Sequence, residues 1–158
     1  MAAPGSAAGR TSVAAGDLAL GTLAGVLGFH LARASAVTFD LFDRHVGEPL
    51  GLRKVEYSLL MLLHANGPIA PKRLAQALAV SAPNLTLLID RLAQRSLVRR
   101  ERSTTDRRSQ NIVLTAQGHE IAARGSEAVP AMERELLGRL SHAERLMLIE
   151  LLRKVSEA

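Results

Sequence analysis

The feature that most constrains the fold is a pair of short helical segments that only three residues separate. The first is predicted over 71–78, where Pro71 suits the first turn because it has no N–H to leave unpaired. The second is predicted over 82–96 and follows Ser81, a residue type that caps helix N-termini. The residues at core spacing are Leu74, Ala75 and Leu78, then Leu85, Leu88, Ile89 and Leu92. Two helices joined this tightly are typical of a helix-turn-helix.

The segments that flank this pair predict a β-hairpin and further helices. Residues 98–102 and 111–114 are predicted as strands that the polar loop 103–109 joins. Helices are predicted over 53–65, with Val55, Leu59, Leu62 and Leu63 inward, over 116–138 after Thr115, and over 141–156 capped by Ser141. Aromatic residues are only 3% of the 158 residues, so the core must come mostly from Leu, Ala, Val and Ile. The chain is therefore expected to be mainly α-helical with a small hairpin.

The N-terminal part of the sequence predicts a tail followed by one long helix. Residues 1–16 are small and Gly-rich, and we expect them to be disordered. Apolar residues at 3–4 spacing then predict a single amphipathic helix over 17–45, which "GEPLG" ends. Asp17 before the apolar run argues against a signal peptide. His30 and Arg33 argue against a membrane span, so we expect a soluble, cytoplasmic protein.

Positive charge is concentrated in one segment. The net charge is +5, and residues 91–108 alone hold seven arginines against two acidic residues. A basic patch of this density is the electrostatic signature of an anion binder, nucleic acid above all. The alternative is an ordinary solvated face with nearby counter-ions.

The start of the second helix offers the groups that read DNA. In a helix-turn-helix, the second helix enters the major groove with its N-terminal residues against the base edges. Asn84 can present an amide to adenine, and Thr86 can contact a phosphate or a thymine methyl group. On the hairpin loop, an arginine suits the narrow minor groove, whereas Asp106 is better placed to brace the loop. The candidate DNA-contacting residues are Ser81, Pro83, Asn84, Thr86, Leu87, Arg91, Arg107 and Arg108.

Other classes of function find little support in the sequence. The chain has no cysteine, which excludes disulfides, thiolate metal sites and thiol-based redox sensing. Its five histidines show no metal-ligand spacing, and we find no nucleophile–base pair and no phosphate-binding glycine loop. We therefore predict a protein that is not an enzyme and needs no metal or cofactor.

The stretch "RLAQALAVSAPNLTLLIDRLAQRSLVRRERSTTDRRSQNIVLTAQG", residues 73–118, resembles the MarR family of winged helix-turn-helix transcription regulators. Its best marker is Asp106-Arg107-Arg108 followed by Leu114-Thr115 and Gly118, which looks like the family's wing signature. The resemblance implies that the helix over 82–95 is the recognition helix and that Arg108, with or without Arg107, is the minor-groove finger. Leu87 and Ser96 depart from the family pattern, which usually has a polar or basic residue and a glycine at these positions.

The resemblance also implies a division of the chain and a set of partners. The expected parts are a disordered tail (1–16), an N-terminal dimerisation helix (17–50), a winged helix-turn-helix domain (51–118) and C-terminal dimerisation helices (119–158). A homodimer would bind a palindromic operator in double-stranded DNA as a repressor. A small effector, such as an aromatic or phenolic acid, would release it, and the candidate polar groups of its pocket are His30, Arg33, Tyr57 and His64.

A second hypothesis stays open at this stage. The same basic winged domain can be an interaction module that docks an acidic protein without selecting a DNA sequence. Selective binding to one DNA site distinguishes the two hypotheses. Non-selective binding falls steeply with salt concentration but shows no preference for a sequence.

Overall fold

The computed structural model describes residues 18–102 and 110–156. The predicted tail, 1–16, and the predicted loop 103–109 lie outside these ranges. The elements are α1 (Leu27–Phe42), α2 (Glu48–Leu50), α3 (Lys54–Asn66), α4 (Pro71–Ala77), α5 (Ala82–Gln94), β1 (Val98–Arg102), β2 (Gln110–Leu114), α6 (Ala116–Leu137) and α7 (His142–Ser156). The fold is mainly α-helical with one two-stranded hairpin, which confirms the predicted fold class.

The chain divides into two compact units, one ending at Ala34 and the other beginning at Ser35. In the first unit, the prediction of an unbroken α-helix from residue 17 is wrong. A 3-10 helix covers Gly21–Gly25, and Val26 is extended before α1 starts. Glycine is a poor helix former, and Gly21 adopts a φ of +54°, so this glycine-containing run does not sustain an α-helix. The ring of His30 donates a hydrogen bond from Nε2 to the carbonyl oxygen of Ala24 at 2.9 Å across the break.

The predicted end of the long helix is also corrected. A π turn over Asp43–Gly47 follows α1, and α2 continues the helical path. Pro49 lies in the first turn of α2, where a missing N–H costs little. The path ends only at Gly51, which has the left-handed φ of 61°. Among the described residues, no helix has both the length and the apolar character to cross a membrane.

The core of the second unit lies between α3, α4, α5 and the hairpin. The four residues predicted as the inward face of α5 are all buried. On α3, Leu59 and Leu63 are buried as predicted, whereas Val55 and Leu62 are only half-buried. The fully buried side chains include Leu59, Leu60, Leu63, Leu74, Ile89, Leu92, Leu97 and Ile112. Each buried leucine or isoleucine contributes about 1.5–3 kcal/mol by leaving water.

Two tight left-handed turns set the directions of α4 and α5. After α4, Ala79 has a φ of 52°, and Val80 N–H donates to Ala75 O at 3.0 Å. After α5, Ser96 has a φ of 57°, and Leu97 N–H donates to Leu92 O at 2.9 Å. Both are Schellman-type helix ends, which satisfy the last free carbonyl groups. Ser96 thus ends α5 in a backbone conformation that suits glycine better.

The hairpin is antiparallel, and its described part runs from Val98 opposite Leu114 to Arg102 opposite Gln110. Ile69 adds a bridge on its other edge, because Ile112 and Ile69 exchange N–H···O bonds of 2.9 and 3.1 Å. Thr115 then caps α6 as predicted, accepting a hydrogen bond from Gly118 N–H at 3.0 Å. Ser141 likewise accepts from Glu144 N–H at 3.3 Å at the start of α7.

Candidate nucleic-acid interface

The N-terminal turns of α5 present an exposed surface. Ser81, Pro83, Asn84, Thr86 and Leu87 are all exposed, and Leu87 keeps 64% of its accessible surface. Ser81 Oγ accepts a hydrogen bond from the backbone N–H of Asn84 at 3.4 Å, which fixes the first turn. Thr86 Oγ1 donates to Ala82 O at 3.1 Å, so its oxygen lone pairs remain available as acceptors. This end of α5 can therefore offer an amide, a hydroxyl acceptor and an apolar side chain to a base edge.

Several arginines of the basic segment have acidic partners. Arg100 Nη2 donates to Asp90 Oδ1 at 2.8 Å, which joins β1 to α5. On β1 itself, Arg99 Nη1 lies 3.3 Å from Glu101 Oε1. Exposed pairs like these stabilise little, but they reduce the charge that the described part of the segment offers to an anion.

Arg91, a predicted DNA contact, lies against α3. Its Nη1 donates to Glu56 Oε1 at 3.4 Å, and Arg95 Nη1 lies 3.7 Å from Glu56 Oε2. Glu56 is only 2% exposed and is the single buried charged residue within 18–102 and 110–156. The sequence reasoning missed Glu56, although its spacing to Leu59, Leu60 and Leu63 places it on the core face of α3.

The residues predicted for the wing tip lie outside the described ranges. Asp106, Arg107 and Arg108 belong to 103–109, between the paired strand ends Arg102 and Gln110. Their roles as a brace and as a minor-groove finger therefore stay predictions.

A cavity of about 520 Å³ lies between α3 and α4, and Tyr57, Ser58, Met61, Leu62, Ala77 and Leu78 line it. A second cavity of about 220 Å³ shares Leu62 and Ala77 with the first and adds Asn66 and Arg73 to the lining. Burial raises the pKa of the Tyr57 hydroxyl, which keeps it protonated and able to donate. The Tyr57 ring also packs edge-on against Phe42 at 5.4 Å between centroids.

The other predicted ligand residues occupy different surroundings. His64 packs against His119 of α6 at 6.0 Å between ring centroids and does not line the Tyr57 cavity. His30 and Arg33 belong to the first unit, where the Arg33 guanidinium lies 5.8 Å from the Phe29 ring centroid. The assignment of His30, Arg33 and His64 to a ligand site stays a prediction.

Comparison with known proteins identifies the class of protein. The MarR family model matches residues 52–110. A Thauera aromatica protein named as a candidate regulator of the hcr operon is 32% identical over 139 residues, covering 88% of this chain and 84% of the relative. The transcriptional repressor CouR bound to a 23-mer DNA duplex is 33% identical with a TM-score of 0.80, covering 89% of this chain and 99% of that one. CouR bound to p-coumaroyl-CoA is 30% identical with a TM-score of 0.77, covering 89% and 98%. The chain belongs to the MarR family of transcriptional regulators, and it is not an enzyme.

Proposed function

We propose that the protein is a homodimeric repressor that binds a palindromic operator and leaves it when a small ligand binds. The observation that carries this proposal is the exposed N-terminal surface of α5, on a fold that matches a repressor solved on DNA. Residues Ser81, Pro83, Asn84, Thr86 and Leu87 enter the major groove, and the N-terminus of α5 faces a phosphate. Arg108, alone or with Arg107, enters the minor groove, and Asp106 braces the loop.

Dimerisation supplies the second half of the operator contact. The α7 residues Leu146, Met147, Leu148, Ile149, Leu151, Leu152 and Val155 are each 39–63% exposed. An apolar surface of this extent favours a protein partner over water. A twofold axis through such an interface sets two recognition helices about one DNA turn apart, which is the reason to expect a palindromic site.

The effector is proposed to be an aromatic acid or its thioester. Support comes from the cavity at Tyr57, which combines apolar walls with a phenolic donor, and from the adjoining cavity that Arg73 lines. An apolar pocket with a few polar groups is typical of small-molecule sites. A repressor 30% identical to this chain has been solved with p-coumaroyl-CoA, an aromatic acyl thioester.

Substitution of the wing arginine tests the DNA-binding proposal. Arg108→Ala is expected to weaken binding to the protein's own upstream DNA by about 1–3 kcal/mol, because one minor-groove contact is lost. Binding is measured by gel shift at moderate salt, with Arg139→Ala, an exposed arginine beyond α6, as the control. If Arg108→Ala binds like the parent, the wing assignment is wrong. If the parent selects no DNA sequence and shows only a steep salt dependence, the interaction-module hypothesis gains support.

Ligand stabilisation tests the effector proposal. A ligand at one hundred times its Kd adds about 2.7 kcal/mol to the free energy of unfolding, and this raises the Tm by roughly 5–10 °C. We expect such a shift with p-coumarate or p-coumaroyl-CoA, a smaller one in Tyr57→Phe, and the full shift in Arg139→Ala, an exposed arginine that does not line either cavity. If the Tm shifts of the parent and of Tyr57→Phe are equal, the Tyr57 hydroxyl does not contact the ligand.

A further inference from the structure

Glu56 holds an unusual position for a carboxylate. It lies in the first turn of α3 with 2% of its surface exposed, and its Oε2 accepts a hydrogen bond from the backbone N–H of Arg53 at 2.8 Å. A carboxylate removed from water is tolerated only where charged or hydrogen-bonding partners replace the water. Here the charged partners are Arg91 on the recognition helix and Arg95, the residue that caps its C-terminus.

Arg95 also joins Glu56 to the end of α2. Its Nη1 donates to Gly51 O at 2.8 Å, and its Nη2 donates to Leu50 O at 3.4 Å. One carboxylate and two carbonyl groups from the α2–α3 region thus hold two arginines about one turn apart, one in the last turns of α5 and one at its C-cap. We refer to Glu56, Arg91 and Arg95 as the α3–α5 clamp.

The clamp lies along the edge of α5 that also carries Asn84. Residues separated by seven and eleven positions return to nearly the same side of an α-helix, so Asn84, Arg91 and Arg95 share one edge. A rotation of α5 by about 20° would move a side-chain tip at the helix surface by roughly 2 Å. A displacement of that size would break a hydrogen bond between Asn84 and a base edge.

We propose that Glu56, Arg91 and Arg95 are positioning residues that fix the rotation of the recognition helix, and that Arg91 acts through Glu56 instead of contacting DNA. The inference rests on the proposed function, since it concerns how α5 is aimed at an operator. It also assigns different roles to two pairs of arginines in the basic segment. Arg91 and Arg95 pair with Glu56 and stay partly exposed, whereas Arg107 and Arg108 are the arginines proposed to meet DNA.

The clamp is tested first without DNA. Thermal unfolding is measured for the parent, Glu56→Gln, Arg91→Gln and the double variant, with Arg124→Gln, an exposed arginine of α6, as the control. If the clamp exists, the double variant loses less stability than the sum of the two single losses, because each single substitution already removes the same Glu56–Arg91 interaction. Additive losses would overturn the clamp, and this readout stands even if the parent selects no operator.

Operator binding over a range of salt concentrations then tests the positioning role. We expect Glu56→Gln and Arg91→Gln each to weaken binding by about tenfold, with the double variant no weaker than the weaker single one. The slope of log K against log salt should match the parent, because no phosphate contact is lost. A slope about one unit shallower in Arg91→Gln would show a phosphate contact and overturn the proposal. If Glu56→Gln does not fold, the salt dependence of Arg91→Gln decides the positioning role alone. If the parent protein selects no operator, the result refutes the proposed function and not the clamp.

Discussion

Replacing Gly118 with alanine is expected to destabilise the protein by about 3 kcal/mol or more, as for a core site that admits no extra methyl group. A Cβ atom at this position would lie 2.0 Å from the carbonyl oxygen of Leu97 and 3.2 Å from Leu114 Cδ2. The backbone has little freedom to yield, because Leu97 O also accepts from Thr115 N–H at 3.1 Å. Relief of this overlap would require a backbone shift that disrupts either the Thr115 cap at the start of α6 or the position of Leu97 just before β1.

Chemical or thermal unfolding of Gly118→Ala measures this effect. A loss of this size corresponds to a fall in Tm of roughly 6–12 °C for a chain of this length. The control is Gly138→Ala at the other end of α6, where the backbone is right-handed and the nearest atoms lie 3.9 Å from the added Cβ. The control is expected to stay within about 0.5 kcal/mol of the parent. A Gly118→Ala protein as stable as Gly138→Ala would contradict the packing argument.

Gly118 also illustrates what the sequence could and could not supply. Its place in the family's wing signature is visible in the sequence, but only the structure gives the reason: α6 passes directly over the carbonyl of Leu97. The helix-turn-helix itself was predictable because its signals are local. Pro71, Ser81 and the apolar spacing of α5 determine helix starts and a buried face within a few residues of themselves.

Features that depend on distant residues were not predictable. The bridge between Ile69 and Ile112 joins positions far apart in the chain, and nothing near Ile69 indicates a strand partner. The same limit applies to the basic segment. Counting charges predicted an anion-binding face, whereas Arg91 and Arg95 are held by Glu56, 35 residues before Arg91. Charge counts in a sequence do not show which side chains will be paired inside the fold.

Leu148→Glu on α7 is expected to dissociate the proposed homodimer and to weaken binding to its proposed operator by roughly a hundredfold or more, because the second half-site no longer binds at high effective concentration. Leu148, Leu152 and Val155 lie on one face of α7 and are 39–51% exposed in the single chain. A carboxylate placed on that face would have to lose its water in the interface without a designed partner. Light scattering on a sizing column should give one chain per particle, whereas Arg153→Gln, on the same helix, should give two.

Two outcomes separate dissociation from simple unfolding. Because the substitution weakens the association of two chains, raising the concentration of Leu148→Glu should recover part of the operator binding. The helical circular dichroism signal should persist, because each chain stays folded. If Leu148→Glu has lost its helices, its behaviour reports on folding, and Leu148→Ala takes its place in the test. Leu148→Ala shortens the side chain without adding charge, and we expect it to shift the particles toward one chain to a smaller extent. If Leu148→Glu remains a dimer and binds the operator like the parent, the α7 face is not the dimer interface, and the pairing of two recognition helices must arise elsewhere in the chain.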